Sequence, residues 1–176
     1  DKGVVNEVVC VDSPSSNFLK HDKFIIHAIG PAKTSWSYSN KLKPWLKQNI
    51  YNYKIIIVHG LWQYQSYAIY QVWKKLKEKP RLYVMSHGML DPYFQKAKNR
   101  KLKAIRNKIV WKLIENKLIN SAQGILFTCE EEKLLARMTF SSYQPQKEEI
   151  IGLGVQYPSL LEETITNAFF ENCKEW

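Results

Sequence analysis

With 176 residues, 45% apolar and 13% aromatic, the chain has enough hydrophobic material for one domain with a full core. No stretch approaches the roughly 20 apolar residues of a membrane span, and Asp1-Lys2-Gly3 is not expected to open a signal peptide. The formal net charge of +10 is uneven: nine cations between Lys96 and Lys117 face only Glu115.

The first residue is not Met, so processing or excision from a longer chain is expected. Three cysteines (Cys10, Cys129 and Cys173) are few and odd in number. That fits a reducing, cytosolic setting better than a disulfide framework.

In chain order, Glu7 to Val11 reads as a strand ended by Asp12-Ser13-Pro14, and Phe24 to Ala28 as a second closed by Ile29-Gly30-Pro31. Tyr38 to Asn49 looks helical, with Pro44 interrupting or starting its second part. A third strand follows at Ile55-Ile56-Ile57-Val58. Gln63 to Lys79 then repeats Ile69, Val72, Trp73 and Leu76 at helical spacing. The Leu82 strand comes next, then a long basic segment from Pro92 to Asn120. Within it Leu102, Ile105, Ile109, Leu113 and Leu118 form an apolar stripe opposite the lysines. Gly124 to Thr128 is another strand. Glu130 to Phe140 is a helix with acids at its N-terminus, as the macrodipole favours. Glu149 to Ile151 is a last short strand. Alternation of this kind predicts an α/β fold, a Rossmann-like doubly wound, mostly parallel sheet in a single domain over 1–155. The tail over 156–176, broken by Pro158, reads as a linker or packing helix.

Two units stand out: Ile55-Ile56-Ile57-Val58-His59-Gly60 and Leu82-Tyr83-Val84-Met85-Ser86-His87-Gly88. A continuous Ile/Val run suggests a strand covered on both faces. A titratable side chain followed by glycine at the strand's end sits where open α/β sheets bind ligands. Two such units about one βα repeat apart predict a single site lined by His59 and His87, while His21 and His27 lack such a context.

The runs His59-Gly60-Leu61-Trp62, Ser86-His87-Gly88-Met89-Leu90-Asp91-Pro92-Tyr93-Phe94 and Leu126-Phe127-Thr128-Cys129-Glu130-Glu131-Glu132 closely resemble the N-terminal domain of family 4 glycosyltransferases. Those are retaining, metal-independent enzymes built from two Rossmann-like domains in the GT-B arrangement. The resemblance runs from about Glu7 to Val155. It implies an acceptor-side half of an enzyme that moves a sugar from a nucleotide-sugar donor to a glycan or lipid-linked acceptor. It also implies that the family's first strand and Gly-rich loop are missing, and that the tail leads to an absent C-terminal donor domain. As a fragment the chain is then not expected to be active.

By the same resemblance His87 faces the transferred sugar and acts as the catalytic residue, positioning and polarising. His59 shapes the acceptor pocket, and Gly60 and Gly88 let backbone approach ligand. Asp91 either caps the following helix or binds acceptor hydroxyls. Thr128 and Glu130 either hydrogen-bond sugar or, for Thr128, cap a helix. The nucleotide sugar is a co-substrate, and neither cofactor nor metal is expected.

Rival constellations are weaker. Cys129 with His87 could make a nucleophile and base, but no oxyanion loop or third orienting residue is readable. His59, His87 and Cys129 or Glu130 could ligate zinc, yet no close-spaced ligand pair is present. The basic segment, with Arg100, Lys103 and Arg106, reads as a solvated face, a contact with anionic membrane, a donor-phosphate contact or, last, a nucleic-acid face. The expected location is cytoplasmic, peripheral at the inner face of the membrane. The alternative to an enzyme is a non-catalytic module that binds a polyanion or anionic membrane through this basic helix.

Overall fold

A computed structural model describes residues 3–21 and 23–152; the expected linker or packing helix of 156–176 lies outside them. Strands and helices alternate as β1 (Glu7–Cys10), β2 (Ile25–Ala28), α1 (Leu42–Asn49), β3 (Ile55–His59), α2 (Tyr64–Trp73) and β4 (Arg81–Met85). They continue as α3 (Tyr93–Lys96), α4 (Lys101–Val110), α5 (Asn116–Ser121), β5 (Gly124–Phe127), α6 (Glu130–Arg137) and β6 (Glu148–Ile150). Strands β3, β4, β5 and β6 lie side by side in that order, all parallel, in an α/β arrangement compatible with a Rossmann-like fold. Strands β1 and β2 pair with each other, also in parallel, as a sheet of their own.

The core forms where apolar strand residues meet α2 and the helices after β4. Leu82, Val84, Ile125 and Phe127 are fully buried, as are Ala68 of α2 and Leu118 and Ile119 of α5. All four residues of β5 are buried, the habit of a parallel strand covered on both faces. Strand β3 departs from that expectation. It is an edge strand, and only the face carrying Ile56 and Val58 meets the core; Ile55 and Ile57 are 48% and 43% exposed. His59 follows them on the open face by the two-residue period of a strand.

Helix α1 begins at Leu42, later than the sequence suggests, because Pro44 fits only the first turn, where its missing N–H has no partner to lose. Tyr38 instead exchanges backbone hydrogen bonds with Lys33. His27 is held by Glu7 at 2.9 Å and lies against Trp45, and Glu7 also accepts from the Tyr53 hydroxyl at 2.6 Å. These contacts tie β1 and β2 to the segment that leads into β3.

The basic segment is not one helix. Extended backbone at Ala97 ends α3, a 3-10 turn spans Lys98–Arg100, and a π-helical turn over Trp111–Glu115 joins α4 to α5. The side turned to the core carries Ala104, Asn107, Trp111, Glu115 and Leu118. Trp111 anchors it by stacking on Phe140 at 4.3 Å and donating its ring N–H to Ser142 Oγ. Glu115, four residues after Trp111 and three before Leu118, falls on the same side by ordinary helical spacing. The apolar stripe does not lie opposite the lysines but shares the exposed side with Lys101, Lys103, Lys108 and Lys112. Of its five members only Leu118 is buried, while Leu102 is 83% exposed and Ile105, Ile109 and Leu113 are also open to solvent.

This orientation sets a contrast in stability. Leu118→Ala should cost about 2–5 kcal/mol, as a buried truncation, whereas Leu102→Ala should stay within about 0.5 kcal/mol. Urea denaturation followed by circular dichroism measures both, and equal losses would place the stripe in the core.

Candidate functional site

The site begins with register. Parallel pairing sets Ile55 beside Arg81 and His59 beside Met85, so β3 and β4 end level with one another. Gly60 N–H extends the ladder by donating to Met85 O at 2.9 Å. The chain then turns away through left-handed backbone at Gly60 (φ +77°) and Trp62 (φ +69°). Past β4 the turn is tighter: His87 (φ +50°) and Gly88 (φ +73°) are left-handed in succession. Such a conformation costs a non-glycine residue energy and persists only where surroundings enforce it.

The two turns bring the imidazoles together. His59 Nδ1 lies 2.9 Å from His87 Nε2, with ring centroids 5.2 Å apart and planes inclined by 24°. Both side chains are open to solvent. Since one ring nitrogen must donate and the other accept, the contact holds one proton; a second would set two N–H groups against each other. Partial burial lowers the pKa of His59, and charge on His87 lowers it further.

Beneath the rings Glu132, in the first turn of α6, gathers four donors. Its Oε1 accepts from Ser86 Oγ at 2.7 Å and Gly88 N at 2.6 Å, and its Oε2 from Thr128 N at 2.8 Å and Thr128 Oγ1 at 2.9 Å. Burial alone would raise this carboxyl's pKa, but the Thr128, Gly88 and Ser86 bonds outweigh it and hold the group below its ordinary value. On the other side Glu115, fully buried, accepts the Trp62 N–H at 2.7 Å. Its burial pushes the pKa up to about 7, against the opposing pull of that bond.

The remaining candidates fall into three groups. Gly60 and Gly88 are explained by their positive φ, and a side chain at Gly60 would meet Met89 at 3.4 Å. Asp91 accepts the Tyr93 N–H at 2.7 Å and so serves the start of α3, while Thr128 is engaged by Glu132. Glu130 is exposed and paired with Lys133 at 2.6 Å. The cations belong to the surface of α4 and the turn before it: Arg100 lies over the Phe94 ring, Arg106 donates to Asn107 Oδ1, and Lys103 is exposed.

His87 hydrogen-bonds His59 rather than Cys129, which is exposed at the start of α6. Among the described residues no group of three or more His, Cys, Asp or Glu gathers as a metal site would require. A separate groove of about 580 Å³, lined by Lys108, Trp111, Lys112 and the 139–142 segment, includes neither histidine.

Glu115 and Glu132 are the functional candidates that sequence reasoning passed over. Glu115 carried a usable signal, since it lies four residues after Trp111 and three before Leu118, on an apolar helical face. Glu132 carried none that separates it from its neighbours Glu130 and Glu131.

The arrangement can hold and pass a proton at an open sheet edge, beside backbone turns whose Gly60, Trp62 and Gly88 N–H groups are bonded within the protein. No protein-family model, no curated protein and no solved structure matches this chain.

A pH dependence follows from Glu115. Its folded pKa lies above that of the unfolded chain, so its contribution is fully present below about pH 4.5 and fades as pH rises through about 7. The stability lost across that window is about 3 kcal/mol. Glu115→Gln should flatten this part of the profile in urea denaturation between pH 5 and 8; an unchanged slope would assign it to other groups.

Proposed function

We propose that the chain is the acceptor-side domain of a retaining glycosyltransferase, one Rossmann-like half of a GT-B enzyme. The sugar passes from a nucleotide-sugar co-substrate to a glycan or lipid-linked acceptor. The observation that carries this reading is the contact of His59 with His87 at level strand ends, within the sequence runs that resemble the family. An open edge of a parallel sheet is where such folds receive ligand.

In this mechanism His87 polarises the reaction centre through its ring while His59 holds or receives the shared proton, and the acceptor hydroxyl lies against the pair. The left-handed turn at Gly88, with open space where a side chain would stand, leaves room for the sugar to approach backbone. Departing diphosphate is stabilised by cations and helix N-termini, without a metal. The donor site lies chiefly in a C-terminal domain, so the reading assigns activity to the complete enzyme, acting in the cytoplasm at the inner face of the membrane.

In the enzyme from the complete reading frame, assayed for nucleoside diphosphate release from a panel of nucleotide sugars, His87→Ala should lower turnover about 10²–10⁴-fold with the fold intact. Near-native turnover would remove His87 from the mechanism.

The outward stripe favours a second reading, a module that lies on an anionic membrane. Leu102, Ile105, Ile109 and Leu113 are open to solvent amid Lys101, Lys103, Arg106, Lys108 and Lys112, which suits partial burial at a lipid headgroup boundary. An aliphatic stripe supports lipid over nucleic acid, whose bases stack on aromatic rings. No helix among the described residues is long and apolar enough to cross a membrane. Changing the four stripe residues to Ser should abolish co-sedimentation with vesicles containing anionic phospholipid, with unchanged circular dichroism; retained binding would confine the contact to charge. Vesicle binding together with failure to turn over any nucleotide sugar would favour this reading over the enzyme.

A further inference from the structure

We propose that Glu132 is a positioning residue: by binding both flanks of His87, it fixes the strained turn that holds the two imidazoles in contact. The use of that contact in sugar transfer rests on the function proposed above, but the positioning itself is a matter of geometry.

A glutamate in a helix's first turn commonly reaches back to one backbone N–H at the helix start. Glu132 does this with Oε2, which takes the N–H and hydroxyl of Thr128. Its other oxygen has no part in capping α6. It crosses to the end of β4 and takes Ser86 Oγ and Gly88 N, the residues on either side of His87. Ser86 is fully buried, so its hydroxyl has no solvent to turn to. His87 sits between these two anchors at φ +50°, a conformation that an unsupported histidine would leave for the right-handed or extended regions. Relaxation there would swing the ring away from His59 Nδ1, 2.9 Å distant.

The carboxylate is required in its ionised form. Each oxygen takes one backbone N–H, from Gly88 and from Thr128, and neither N–H can rotate. A glutamine would set its NH2 against one of them in either orientation. An aspartate, shorter by one methylene, would reach one pair of donors but not both.

The test reads the rings directly. Nitrogen-15 NMR of the histidine side chains follows the two imidazoles of the contact through pH. While the rings touch, one nitrogen of the contact carries the proton and its partner accepts it, so their nitrogen-15 signals stand apart, and the separation of those two signals is the readout. In Glu132→Gln that separation should shrink by at least half, and in Ser86→Ala by a smaller amount. Phe127→Ala, a buried truncation outside the clamp, should lower stability and leave the separation in place. A folded Glu132→Gln protein with the original separation would overturn the proposal. If Glu132→Gln does not fold, Ser86→Ala decides: an unchanged separation overturns the proposal and a reduced one supports it. The outcome is distinct from that of the turnover assay. A collapsed separation alongside near-native turnover of His87→Ala upholds the positioning and removes the glycosyltransfer role.

Discussion

The parallel pairing of β3 with β4 is the constraint on which the rest of the structure depends. Because His59 stands opposite Met85, the two chains leave the sheet at the same height, and two residues later His87 can turn back toward its neighbour. A slip of one residue would exchange the faces of β3, sending His59 inward and Val58 out. Register is in turn enforced by burial, since Val58, Leu82 and Val84 fill the core while Ile55 and Ile57 do not. Packing far from the chemistry thus decides where the proton-carrying groups lie.

Two carboxylates then brace the two exits from the sheet, by different physics. Glu132 is half-buried and richly bonded, so it stays ionised and holds backbone by charge. Glu115 is sealed inside with a backbone N–H from Trp62, and its proton affinity rises accordingly. One brace is therefore indifferent to pH near neutrality and the other is not. The β3 exit and the basic helix meet at Glu115, which belongs to the π turn of the latter.

Much of the fold was legible because the strands end abruptly. Apolar runs stopped by Asp12-Ser13-Pro14, His59-Gly60 and His87-Gly88 place β1, β3 and β4 within a residue or two of their observed ends. The meeting of His59 with His87 was legible for the same reason, as equal offsets from neighbouring parallel strands. The basic segment was not. An amphipathic pattern states that a helix has two faces, but the packing partners choose between them, and here Ala104, Asn107 and Trp111 are buried rather than Leu102, Ile105 and Ile109. Among the three adjacent glutamates that open α6, all suit the helix dipole; only the position of the Ser86–Gly88 turn selects Glu132.

Strand β3 has one further consequence. Its outer margin carries unpaired peptide groups beside bare Ile55 and Ile57, with no proline or inward charge within the strand to discourage a neighbour. Such a margin is a template for adding another strand. The margin of β3 thus offers room for a further strand directly beside the open face that carries His59, while the net charge of +10 opposes the approach of a second copy.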